Sequence, residues 1–154
     1  MSEIEKIVVT AAFTILGGVA VYVVGQLLSK CFIDPVQELR KAIGEVRFNL
    51  AFHAPEIHTP IGRTKEKSDR ARDALMKSSC DLLAKLHAIS LYDRLAPMSR
   101  GVLPPRKSIE EAAKQLRGLS THVDETSDKA VEALDVIEKR VERIEKLLGL
   151  KPLE

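Results

Sequence analysis

Four histidines, His53, His58, His87 and His122, are the side chains of this sequence best suited to metal or acid–base chemistry, and their spacing gives that chemistry little support. His53 and His58 are five apart across an expected helix end, not the i, i+4 pair that sets two imidazoles on one helix face, and Glu56 is the one acidic residue beside them. His87 follows Leu86 on an expected helix, where a packed or solvent-facing imidazole is the plainer role. Ser120, His122 and Asp124 spell a triad on paper, but neither a nucleophile turn nor an oxyanion-hole glycine motif surrounds Ser120. The sequence holds no Walker A loop, dinucleotide fingerprint or Cys-x-x-Cys pair, and Gly17-Gly18 sits in an apolar run where it cannot cradle phosphate. The expectation is a protein that is not an enzyme, with no metal site and no cofactor.

Basic residues offer a second kind of chemistry. From Arg63 to Lys107 there are 11 Lys and Arg against 5 Asp and Glu, whereas Ser108 to Asp135 carries 3 against 7. Arg63, Lys65 and Arg70 form one group, and Arg100, Arg106 and Lys107 form another on a Pro- and Gly-rich segment. Arg grips phosphate in a bidentate manner and Lys acts as a point charge, so these six are the candidate anion-binding residues. A lipid headgroup, a phosphorylated small molecule, a cyclic oligonucleotide or nucleic acid phosphate fits that chemistry. Ordinary solvated Lys and Arg faces are the alternative, because no aromatic residues interleave to stack bases. A net charge of +2 over 154 residues excludes a whole-protein cationic field for wrapping nucleic acid.

The elements that position these residues are expected to be helices throughout. Aromatic residues are 4% of the chain with no Trp, and the strand signature of alternating β-branched and aromatic residues is absent. Ile7 to Leu28 runs 22 residues without a charge, which at 1.5 Å per residue reaches about 33 Å against a hydrocarbon core of about 30 Å. The run is longer than the apolar region of a signal peptide, is preceded by Glu3, Glu5 and Lys6, and lacks a small-x-small cleavage site at its end. A transmembrane helix over 7–28 is therefore expected, with 1–6 as a short external amino terminus. Lys30, Arg40, Lys41 and Arg47 follow the span while Lys6 alone precedes it, so residues 29–154 are expected in the cytoplasm and the amino terminus outside. Cys31 and Cys80 would then be free thiols. Ala11, Thr14, Gly18, Val21, Gly25 and Leu28 fall on one face of the span at three- and four-residue intervals, and its small members Ala11, Thr14, Gly18 and Gly25 let helices approach closely in lipid, which implies a homo-oligomer.

Beyond the span, apolar residues repeat at three and four through segments near 35–54, 65–89, 108–123 and 128–148, a bundle of about four helices. Asp34 and Pro35 read as the start of the first, with Phe48 and Phe52 widening its stripe of Val36, Leu39, Ile43, Val46 and Leu50. Pro55–Gly62 and Pro97–Lys107 read as loops, and Ser108 with Glu111 as a capping box. In the last segment Ala130, Leu134, Ile137, Val141, Ile144 and Leu148 keep a 4-3-4-3-4 spacing before Gly149, which suits either a bundle helix or a seam between chains.

Phe32-Ile33-Asp34-Pro35 after the apolar run, Leu39 to Gly44, Leu103-Pro104-Pro105-Arg106 and Glu111 to Ser120 give the chain its resemblance to a loose group of bacterial single-span inner-membrane proteins of unknown function with a cytosolic helical domain. The resemblance implies a bacterial inner-membrane setting and carries no activity or catalytic residue. Two functions fit the whole pattern: a membrane-anchored interaction or scaffolding protein that docks a cytosolic protein partner, and an oligomeric membrane effector gated by an anionic, cyclic-nucleotide-like signal of the kind used in phage defence.

Overall fold

The computed structural model describes residues 3–59, 64–89, 92–98, 103–124 and 130–151, and every element among them is helical. The chain divides into two units, Met1–Val36 and Gln37–Glu154.

The first unit holds α1 (Glu3–Leu28) and a π-helical segment, Ser29–Ile33. No residue of α1 is buried, and Ile7, Phe13, Val21 and Tyr22 are each about two-thirds exposed or more. A helix apolar on every face has no side to turn to water, and α1 is long and apolar enough to cross a membrane. Its two threonine hydroxyls are satisfied locally, Thr10 Oγ1 donating to the Lys6 carbonyl and Thr14 Oγ1 to the Thr10 carbonyl, both at 2.9 Å.

α2 begins at Asp34, where the helix start is expected, but it is not a free, capped start. Helical residues continue from Glu3 to Phe52, and the Asp34 amide donates back to the Ser29 carbonyl instead of being capped. Pro35 has no N–H, and in a regular α-helix its ring collides with the carbonyl four residues earlier; the wider π-turn just before it relieves both demands without ending the helix.

The second unit contains α2 (Asp34–Phe52) from Gln37 onward, α3 (Ala54–His58), α4 (Lys65–Ala88), α5 (Tyr92–Met98), α6 (Arg106–Asp124) and α7 (Ala130–Leu148). α2 and α4 run antiparallel, and so do α6 and α7, as the cross-links show: Glu38 to Lys85 and Asn49 to Ser78 join α2 to α4, and Gln115 to Arg140 with Glu111 to Arg143 join α6 to α7. α6 packs against both α4 and α7. Each helix turns one stripe inward: Leu39, Val46 and Leu50; Leu75, Leu82 and Leu86; Ile109, Leu116 and Leu119; Ile137, Ile144 and Leu148. Ile137, Val141, Ile144 and Leu148 of the α7 stripe are thus used inside the chain. α4 and α6 approach through small buried residues, and Ser79 Oγ donates to the Ala113 carbonyl at 2.8 Å, satisfying a fully buried hydroxyl.

Helix ends differ from expectation in instructive ways. Pro55 falls in the first turn of α3, where its missing N–H costs nothing, so part of the expected loop is helical. α6 begins at Arg106 because the Pro105 carbonyl accepts from the Ser108 and Ile109 amides; Ser108 is therefore already inside the helix, and the capping box with Glu111 is not made. Gly149 does close α7: at φ 64° its amide donates to Lys146 O, and Leu150 N to Glu145 O at 2.8 Å, a Schellman pair.

Candidate functional site

The candidate anion-binding residues stand at two separate places. Lys65 opens α4 and is exposed; Arg70, one turn on, is exposed and ion-paired to Glu66 Oε1 at 2.5 Å. Arg106 and Lys107 open α6, beside α5, which follows the other end of α4. Some 23 residues of helix separate those ends, about 35 Å at 1.5 Å per residue. Arg63 and Arg100 lie outside the described residues.

Arg106 is the most constrained of the set. Its Nε lies 3.2 Å from both Asp93 carboxylate oxygens, and its guanidinium carbon 5.6 Å from the centre of the Tyr92 ring. Tyr92 is fully buried and donates its hydroxyl to the Pro104 carbonyl, so α5, the Pro104 turn and the start of α6 are tied together. Burial pushes the Tyr92 phenol up to about 12, an effect the Arg106 charge opposes. Arg106 thus acts here as a latch on the Pro-rich segment, with the neighbouring Lys107 exposed.

At the other end, residues of three helices come together. Phe52, His53, Glu56, Lys67 and Arg70 line a groove of about 270 Å³ between the end of α2, α3 and the first turns of α4. Phe52 stacks on Phe48 with ring centres 5.5 Å apart and meets the His53 imidazole edge-on at 5.0 Å. His53 Nδ1 lies 4.0 Å from Glu56 Oε2. Phe48 and Phe52, expected to widen the core stripe, are 63% and 65% exposed. The signal that places them was present: Phe48 is two residues from both Val46 and Leu50, about 200° around the helix, on the side away from the core.

Elsewhere the polar groups hold helices together. Lys85 Nζ reaches Glu38 Oε2 at 2.9 Å; that hydrogen bond, with help from Lys41, holds the Glu38 carboxyl below its ordinary value and raises the Lys85 ammonium. Arg140 Nη1 donates to Gln115 Oε1 at 2.9 Å across the α6–α7 contact and lies over Gly118, where an added Cβ would fall 2.3 Å from it. His58 and His87 are exposed, His122 is half-buried, and no group of three or more His, Cys, Asp or Glu able to hold a metal occurs among the described residues. Cys31 and Cys80 are free and exposed. Within α1, Ala11, Thr14, Gly18 and Gly25 are exposed, and a Cβ added at Gly18 or Gly25 meets nothing within 4 Å. No protein-family model, curated protein or solved structure matches the chain.

Proposed function

We propose that this chain is a membrane-anchored, non-enzymatic interaction protein of the bacterial inner membrane. In this reading α1 crosses the bilayer once with the amino terminus outside, copies associate, and the helical unit from Gln37 onward docks a protein partner in the cytoplasm. The observation that carries it is the contrast between the two units: α1 buries none of its 26 residues, while every long helix of the second unit buries a stripe and turns a charged face to water. Lipid is the solvent in which an all-round apolar helix with satisfied backbone groups is stable.

The test is fractionation. The chain is expected to stay with membranes through high-salt and alkaline washes and to leave only with detergent, with residues after Ser29 protected from external protease in intact cells. Gly17→Arg with Gly18→Arg places two charges near the middle of α1, at about 2.5–3.5 kcal/mol each, and should release the chain from the membrane. Release of the unaltered chain by salt alone would refute the anchor.

A second reading, the anion-gated effector, is favoured by the groove at Phe52. It sets an aromatic face beside Lys67 and Arg70, the combination that the sequence lacked when read linearly. Titration of cyclic oligonucleotides, short RNA and anionic lipid vesicles onto the detergent-solubilised chain tests it. Saturable binding of one ligand class, lost in Lys67→Ala with Arg70→Ala, would place this reading first; equal, weak binding of every anion would remove it.

A further inference from the structure

We infer that the solvent face of α2 is a self-recognition surface on which a second copy of this chain pairs in parallel. The inference deepens the self-association in the proposed function by naming a surface for it, and it does not depend on α1. Opposite the buried stripe of Leu39, Ala42, Val46 and Leu50, α2 exposes Gln37, Lys41, Gly44, Phe48 and Ala51 at 4-3-4-3 spacing, the repeat of a coiled-coil seam. From Lys41 onward sizes alternate along it, Lys41, Gly44, Phe48 and Ala51. In a parallel pair, a Phe48 knob enters the hole made by Gly44, Arg47, Phe48 and Ala51 of the other copy, and the two small residues are those beside the large ring. Gly44 has nothing within 4 Å of where a Cβ would stand. Glycine at an exposed mid-helix position is a destabilising choice with no reason inside the chain, and close approach of a second helix supplies one.

Charge identifies the occupant and its direction. Arg40 and Arg47 flank the seam on one side, Glu45 and Phe52 on the other, and all four are exposed. Parallel helices bring a residue on the first flank opposite the residue five further along on the partner's second flank. Arg40 then meets Glu45 of the other copy, and Arg47 lies against the face of its Phe52 ring. Antiparallel pairing instead sets Arg against Arg and Glu against Glu. The face is complementary to itself in one orientation only. Lys41 in the seam weakens the pair while fixing its register, so a modest, concentration-dependent dimer is expected.

The experiment uses the full chain in detergent micelles with Cys31→Ser and Cys80→Ser, both exposed positions. Ala51→Cys is expected to form a disulfide dimer under mild oxidation at least about tenfold faster than Lys77→Cys, an exposed position on α4. Arg40→Glu should slow it about tenfold by replacing two attractive pairs per dimer with two repulsive ones, and Arg40→Glu with Glu45→Arg should restore it. Helicity is measured on each variant. A crosslinking rate at 51 no faster than at 77, or one indifferent to the Arg40 reversal, overturns the inference. A chain that is dimeric by light scattering yet fails at 51 keeps its self-association and loses this surface, leaving the face to another occupant.

Discussion

Replacing Gly118 by Ala sets two opposed effects against each other, and the structure gives a size to both. Gly118 lies inside α6, and Ala there favours the helix by about 0.8–1 kcal/mol. The new Cβ, however, would stand 2.3 Å from Arg140 Nη1 and 2.8 Å from its Cζ, closer than any tolerated contact. The obstructing atoms are the end of a flexible side chain, so the guanidinium moves and the backbone stays. Its movement breaks the 2.9 Å bond to Gln115 Oε1, a charge-assisted bond worth about 1.5 kcal/mol at a half-buried site, the low end for a charged donor. Arg140 Nε is already buried without an acceptor, so swinging outward recovers part of that loss. The sum is near zero: Gly118→Ala is expected to change stability by less than about 0.5 kcal/mol. In an Arg140→Ala background no atom stands closer than 3.3 Å to the Cβ, and the same substitution should stabilise by about 1 kcal/mol. The assay is urea unfolding of the four chains in one detergent at fixed concentration, with helicity as signal, so that α1 contributes equally and the double-mutant cycle isolates the coupling. A gain of about 1 kcal/mol in both backgrounds would falsify the account of Arg140 resting on Gly118.

Tyr92→Phe should destabilise the second unit by about 1–2 kcal/mol, since the buried hydroxyl donates to Pro104 and its loss leaves that carbonyl without this donor. Because the folded phenol is raised to about 12 from 10.0, the folded state holds this proton more tightly than the unfolded chain, and stability falls as pH rises from about 10 to 12. Comparing unfolding at pH 9 and pH 11 should show a steeper loss in the unaltered chain than in Tyr92→Phe; parallel losses would mean the phenol is not protected. Ile137→Asp with Ile144→Asp should abolish the helicity of the second unit and not merely split an oligomer, because both side chains are buried within the chain; a folded, monomeric double variant would contradict the intrachain packing of α7. Gly18→Leu with Gly25→Leu is expected to leave membrane insertion intact, and to weaken any association made through α1, read as slower crosslinking in micelles.

The amino-acid sequence by itself determined what depends on neighbours along the chain. A charge-free run of 22 residues makes an apolar helix whatever surrounds it, and three- and four-residue apolar spacing makes amphipathic helices in α4, α6 and α7. Gly149 ended α7 as its type demands. Tertiary structure decided whatever depended on which surfaces meet. α2 carries apolar residues on opposite sides, and only tertiary packing chose Leu39, Val46 and Leu50 for the core and left Phe48 and Phe52 outside. Arg106 had the same chain-level credentials as Lys107, yet the folding of α5 back onto α6 set Asp93 and Tyr92 around one and solvent around the other. The groove at Phe52 joins residues 52 to 70 across a helix end, and the Gly118–Arg140 contact joins two helices. Periodicity fixes the angle of a side chain about its own helix axis; which angle is covered is a property of the neighbouring helix, and that is settled only when the elements pack.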